Sequence, residues 1–222
     1  MQIDLRVLEL LSSKICHDLI SPVSAINNGV ELIEDIGETV VDEAMKLIAD
    51  SASVSSRRLK LFRIAYGRAG SEESLPVKDV RLVAAQYFEV GKIKLHWDEA
   101  LALSDLSEKR GALKTLINML LLSEEVLAYG GTITLQRIEG EGTLGCRLEI
   151  VGKSAQLSPS FGDALNGITP VEDLTPRTIQ SYMTGRFAST FDLSILPSSP
   201  CPDQLDLTLL VKAPEYDSDR PL

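Results

Sequence analysis

Two long runs of apolar residues at helical spacing, one directly after the other, limit what this chain can fold into more than any other feature. In the first, Leu8, Leu11, Ile15, Leu19, Pro22 or Val23, Ile26, Val30 and Ile33 recur every three or four residues, the signature of one buried helix stripe. Asp4 is placed to cap that helix, and Gly37 to break it just past residue 35. About 30 residues at 1.5 Å each make a rod of about 45 Å, long for a globular helix. In the second run, over 41–66, Val40, Leu47, Val54 and Leu61 repeat every seven residues, while Met45, Ile48, Ala52, Leu59, Phe62 and Tyr66 line an adjacent strip. Two antiparallel helices cover only one face of each other. The surplus apolar surface is expected to meet two more helices, most simply from a second copy, in a dimeric four-helix bundle. The other arrangement packs it on the chain's own C-terminal half.

Gly67-Arg68-Ala69-Gly70-Ser71-Glu72-Glu73-Ser74-Leu75-Pro76 reads as a linker, so a helical hairpin domain is expected over 1–68 and a second domain over 76–214. The second domain mixes element types. A short amphipathic helix is expected over 77–89, a strand over 93–97, a long helix with an apolar centre over 107–128, and a hairpin of strands over 132–138 and 143–151. Helical pieces over 161–165 and 178–188 and strands over 193–196 and 205–212 complete it. The expected class is α+β: the helical hairpin followed by an α/β sandwich with helices on one face of a sheet. The polar tail, 215–222, is expected to be disordered.

Charge and cysteine usage exclude several functions. The 22 Lys and Arg residues against 32 Asp and Glu give a net charge of −10, which disfavours phosphate backbones and hence nucleic acid. Cys16, Cys146 and Cys201 are an odd, scattered set without metal-ligand spacing, which argues for reduced thiols rather than a disulfide frame or a zinc site. The apolar run at 116–122 is too short to cross a bilayer, and the first six residues lack the order of a signal peptide. A cytoplasmic protein without membrane contact is expected.

The chain has 2 histidines. On the strand at 93–97, Ile93, Leu95 and Trp97 take one face, which leaves His96 on the solvent side with Lys92 and Lys94. His17 is two residues past Ile15, and each helical residue turns by about 100°, so its ring points away from the buried stripe. The residues sharing its face are Leu10, Ser13, Lys14, Ser21, Ser24 and Asn28, small or polar except for the leucine. Such a ring is open to a large partner. Pro22 withholds a helical hydrogen bond, at a cost of about 3 kcal/mol, yet the apolar pattern runs straight past it. A kink one turn after the histidine, kept for its shape, is expected.

The string His17-Asp18-x-x-Ser21-Pro22 resembles the phospho-acceptor motif of two-component histidine kinases. A histidine-bearing hairpin joined to an α/β sandwich also resembles those kinases' dimerisation and ATP-binding domains. The kinase nucleotide boxes fail position by position. Where a kinase repeats asparagine on the long helix, this chain has Leu116-Ile117-Asn118-Met119-Leu120-Leu121-Leu122-Ser123. Where a kinase has Asp-x-Gly-x-Gly after the strand, it has Gly152-Lys153-Ser154-Ala155, and Gly162, Gly167 and Gly185 stand isolated instead of forming a phosphate loop.

A kinase-like body with its histidine kept and its ATP site lost resembles the histidine phosphotransferases of the ChpT type. The resemblance covers nearly the whole length, and Cys16-His17-Asp18-Leu19-Ile20-Ser21-Pro22 followed by Ala25-Ile26 is its most specific piece. It implies a homodimer that takes phosphoryl groups from the receiver domain of a hybrid histidine kinase and passes them to response-regulator receiver domains, feeding cell-cycle control as in alphaproteobacteria. His17 is then the nucleophile, attacking through an unprotonated ring nitrogen. Asp18 either orients the ring or is only an exposed charge. Lys14 either stabilises the arriving phosphoryl or is a solvated lysine. Ser13, Ser21, Ser24 and Asn28 give clearance on the docking face, and Leu10 gives an apolar contact at its rim. No cofactor is expected in this chain; Mg²⁺ belongs to the receiver. Three other readings compete: a working kinase, which needs ATP; a His-Asp metal hydrolase, for which 2 histidines are too few; and a non-catalytic kinase-like dimer that regulates a two-component partner through the same face.

Overall fold

A computed structural model of the protein describes residues 4–68, 75–101, 103–140 and 143–211. The middle of the expected linker and the whole of the expected tail lie outside the described residues. The chain opens with α1 (Leu5–Ile36), where the Asp4 side chain accepts from the Arg6 backbone N–H at 2.8 Å. At the far end the Gly37 N–H returns to the Ile33 carbonyl. A 3-10 turn (Glu38–Val40) leads into α2 (Val41–Ala65), and α1 stays helical through Pro22. The two helices approach closely at Gly29. A Cβ there would stand 2.6 Å from Ile48 Cγ1 and 3.2 Å from the Ala44 carbonyl, closer than a side chain can come.

Within one chain the stripe of α1 is only partly covered. Pro22 is buried, Leu11, Ile15, Leu19, Ile26 and Ile33 are half-buried, and Leu8, Val23 and Val30 are exposed. The same division runs along α2. Leu61, Phe62, Ile64 and Ala65 at its end are buried, whereas Met45, Leu47 and Leu59 are exposed. The division arises because the C-terminal layer packs against the end of α2, through α3 (Val77–Phe88) and α5 (Ala112–Val126), and against the first half of α1, and leaves the rest of the hairpin to itself.

That layer is completed by β1 (Ile93–His96), α4 (Ser104–Glu108), β2 (Gly131–Gly140), β3 (Thr143–Val151), α6 (Pro159–Leu165), a 3-10 turn (Val171–Asp173), α7 (Ile179–Thr190), β4 (Leu193–Cys201) and β5 (Gln204–Val211). The strands form one sheet in the order β1-β2-β3-β5-β4, parallel between β1 and β2 and antiparallel elsewhere. Alternation sorts its two faces. Ile133, Leu135, Cys146, Leu148, Ile150, Leu205, Leu207 and Leu209 are buried beneath the helices. Thr134, Gln136, Arg147, Glu149 and Thr208 look the other way, with Gln136 donating to Glu149 at 3.0 Å. The chain is thus a mixed α+β protein with seven helices and one five-stranded sheet among the described residues.

The single long helix expected over 107–128 is two helices. Lys109 is extended, and Gly111 has φ +77 at the start of α5, a conformation that favours glycine. A Cβ on Gly111 would also strike the Phe191 ring, at 2.1 Å from Cδ2. After this break every residue of α5 from Ala112 to Ser123 is buried, as a helix apolar on all sides must be. The strand histidine, His96, is exposed beside the buried Trp97.

Candidate functional site

The most open titratable ring on α1 is His17, whose side chain is 90% exposed. Its Nδ1 lies 3.4 Å from Asp18 Oδ1, a long contact that orients the ring only loosely. Ser13, Ser21, Ser24 and Asn28 are exposed along the same face. They leave the imidazole unobstructed because none carries a side chain long enough to fold over it.

Asp18 faces a cluster of charges contributed by three helices. Lys14 Nζ is 2.7 Å from Glu125 Oε1 on α5 and 3.7 Å from Asp18 Oδ2. Arg58 of α2 donates from Nη1 to the Asp18 backbone carbonyl. Tyr87 of α3 donates to Glu124 Oε2 at 2.6 Å. Burial raises the Glu125 carboxyl above the usual range, against the pull of Lys14. It raises Glu124 as well, opposed by the Tyr87 hydrogen bond and the Arg58 charge. Burial by itself lowers the Lys14 ammonium, but Glu125, Asp18 and Glu124 outweigh it and leave its pKa above the ordinary lysine value. Lys14 is therefore a largely buried tether between α1 and α5, its ammonium engaged by Glu125 and Asp18. Sequence reading missed Arg58, Tyr87, Glu124 and Glu125. The legible signal was the pair of carboxylates that ends the apolar run of α5.

Leu10 requires a correction. It shares the angular face of His17, yet it is buried in a small cluster with Ala164, Leu174 and Ile179, flanked by Val7, Leu11, Val171, Tyr182 and Met183. Two turns before the histidine the second half of the chain closes over α1, so Leu10 presents no apolar rim. Helical periodicity has no means of registering a covering element that arrives some 160 residues later. The exposed apolar neighbour of His17 is Ile20, three residues on and 63% exposed.

In the other half of the chain, the asparagine on α5 is spent on internal bonds. Asn118 is fully buried, and its Nδ2 donates to the Ala65 and Lys114 carbonyls, each at 2.9 Å. Its Oδ1 accepts from Gln180 Nε2 at 3.1 Å, and Tyr66 donates to Gln180 Oε1 at 2.5 Å. The turn after β3 is held by Ser154, whose N–H donates to Asp203 Oδ1 at 2.8 Å. Among the described residues, no three His, Cys, Asp or Glu side chains stand together as a metal site would require, and no helix is long and apolar enough to cross a membrane.

A mixed α+β protein with a helical hairpin that holds one histidine outward, ahead of a layer with a buried central helix, has the build of a phosphotransfer protein. The comparisons give the family. Residues 77–199 match the family described as "Histidine phosphotransferase C-terminal domain". The chain is 37% identical over 177 residues to "Protein phosphotransferase ChpT" of Brucella abortus (strain 2308), covering 79% of this chain and 81% of that protein. A solved structure described as that of a bacterial phosphotransferase superposes with a TM-score of 0.76 at 29% identity, over 94% of this chain and 98% of that one. This chain belongs to the histidine phosphotransferase family, with a phosphotransfer role.

Proposed function

We propose that the protein relays phosphoryl groups between receiver-domain aspartates of a hybrid histidine kinase and of response regulators, through a phosphohistidine on His17. The observation that carries this reading is the 90% exposed ring of His17, set on a helix whose opposite side is anchored in the fold. In this reading the ring is protonated at Nδ1, on the Asp18 side, and Nε2 is the attacking nitrogen. Attack on the partner's aspartyl phosphate forms the N–P bond and breaks the acyl P–O bond, and the aspartate departs as carboxylate with the electron pair. The Nδ1 proton stays on the ring beside Asp18, whose long contact favours that tautomer without fixing it. Transfer onward reverses these steps on the acceptor. Mg²⁺ belongs to the receiver. The setting proposed for such a relay is cell-cycle control.

We read the C-terminal layer as a kinase ATPase-like sandwich whose nucleotide site has been replaced by packing. Support comes from Asn118, both of whose amide protons are held by backbone carbonyls. We further propose a homodimer built as a four-helix bundle. Val23, Val30, Met45, Leu47 and Leu59 are all exposed on the hairpin, and a groove between its helices is lined by Val23, Ile26, Ala52 and Leu59. A second copy is the simplest cover for it.

The test is incubation with ³²P-labelled receiver domains. Acid-labile, base-stable label on His17 is expected. Its absence, with receiver binding intact, leaves the non-catalytic regulator as the better account. Binding of an ATP analogue would return the working kinase, and light scattering that gives a monomer mass would remove the bundle.

A further inference from the structure

We infer that Arg58 is a positioning residue for the phospho-acceptor, because it supplies to the Asp18 carbonyl the hydrogen bond that Pro22 withholds. This inference rests on the relay reading of His17. In an α-helix the carbonyl of residue i accepts from the N–H of residue i+4. For Asp18 that residue is Pro22, which has no N–H and is buried inside the uninterrupted helix α1. The carbonyl left without its helical donor is therefore the one directly following His17.

Arg58 fills this place from another helix, 40 positions later in the chain. Its guanidinium stays charged and carries five donors in a rigid fork, so it can hold the carbonyl while facing other groups. Tyr87 and Glu124 line the same cavity as Arg58. The arginine's charge opposes the burial-driven rise in Glu124, and Glu124 is itself fixed by Tyr87 at 2.6 Å. On the side-chain flank of the same residue, Lys14 reaches Asp18 Oδ2 at 3.7 Å while bound to Glu125. The backbone of Asp18 is thus held from α2 and its carboxylate by Lys14 of α1, itself bound to α5, while among the described residues His17 has only its loose contact with Asp18. Arg58 touches no reacting atom. It fixes the turn from which the ring projects, next to the Tyr87–Glu124 hydrogen bond of the C-terminal layer.

A double-mutant cycle tests this, because Pro22→Ala restores a backbone N–H for the Asp18 carbonyl and makes Arg58 redundant. Transfer from a ³²P-labelled receiver domain is measured as a maximal rate and a half-saturating receiver concentration, with thermal unfolding followed in parallel. Arg58→Met is expected to lower the maximal rate about 10-fold with half-saturation unchanged, and Arg58→Lys to recover part of it. In the Pro22→Ala background the same Arg58→Met change is expected to cost no more than about 3-fold. Equal losses in the two backgrounds, no loss in either, or a loss confined to half-saturation would overturn the inference. If Arg58→Met alone does not fold, the double variant must fold and transfer; its failure also overturns it. Label still accepted by His17→Gln would defeat the relay reading instead, whatever Arg58 does.

Discussion

The His17 turn of α1 and the Asn118 turn of α5 both set a polar side chain into a long amphipathic or apolar helix, and the fold treats them in opposite ways. His17 is left in water, with one long contact of 3.4 Å. Asn118 is sealed, and Ala65, Lys114 and Gln180 use both its amide protons and its oxygen. A side chain whose bonding capacity is consumed by the protein stabilises the protein. One whose capacity is left open is available to a partner. The difference arises from packing: α5 is covered on all sides, while α1 is covered along one stripe and near its start.

The sharpest way to break this contrast is to remove each side chain and ask which property fails. His17→Gln is expected to abolish phosphoryl acceptance, by about 1,000-fold or more, with the melting temperature unchanged. Asn118→Leu is expected to do the reverse. It strips the Ala65 carbonyl of its Asn118 donor and takes one of the acceptors from Gln180 Nε2, and should cost about 2 kcal/mol in urea unfolding, while the fraction that remains folded still accepts label. Loss of label acceptance in folded Asn118→Leu would erase the distinction between the two turns.

A finer test uses pH, because the carboxylates behind Asp18 belong to both regions. Glu124 has a folded pKa raised by burial, so above the unfolded glutamate value the native state binds more protons than the unfolded one. Its contribution to stability therefore falls as pH rises from about 4.5 through the raised folded value. Glu124→Gln keeps an acceptor for Tyr87 and removes that titration. Melting curves from pH 4.5 upward should fall less steeply in the variant than in the parent protein, and parallel curves would show that Glu124 is not held as described.

The smallest effect is read with a thiol reagent. Cys16, beside His17, and Cys201 are exposed, whereas Cys146 lies fully buried under the helices with its thiol pushed up to about 12 by that burial. Two thiols are expected to react at once and the third only on unfolding. Slow reaction of Cys16 would mean that the face carrying the histidine is covered.

Much of the fold was legible because it depends on local rules. Asp4 as a cap, Gly37 as a stop, the two long helices and the β2–β3 hairpin follow from short-range geometry and stand within a residue or two of where spacing put them, whereas β4 runs five residues past the expected end at Leu196. The break in front of α5 was not legible, since a glycine inside an apolar run is tolerated in many helices and only the Phe191 ring makes it obligatory here. The candidate site divides along the same line. The outward direction of His17 is a matter of 100° per residue. The burial of Leu10, the capture of Lys14 by Glu125 and the arrival of Arg58 at the Asp18 carbonyl are long-range facts.

By itself, then, the sequence determined the hairpin, the alternation of the strands, the motif around His17 and the failure of the kinase nucleotide boxes, all of which are read within a few neighbouring positions. Only the tertiary structure decided which members of the His17 face stay open and which charges surround Asp18. Those outcomes depend on elements 40 to 160 residues away, which no local periodicity encodes and which meet only when the C-terminal layer closes on α1 and α2.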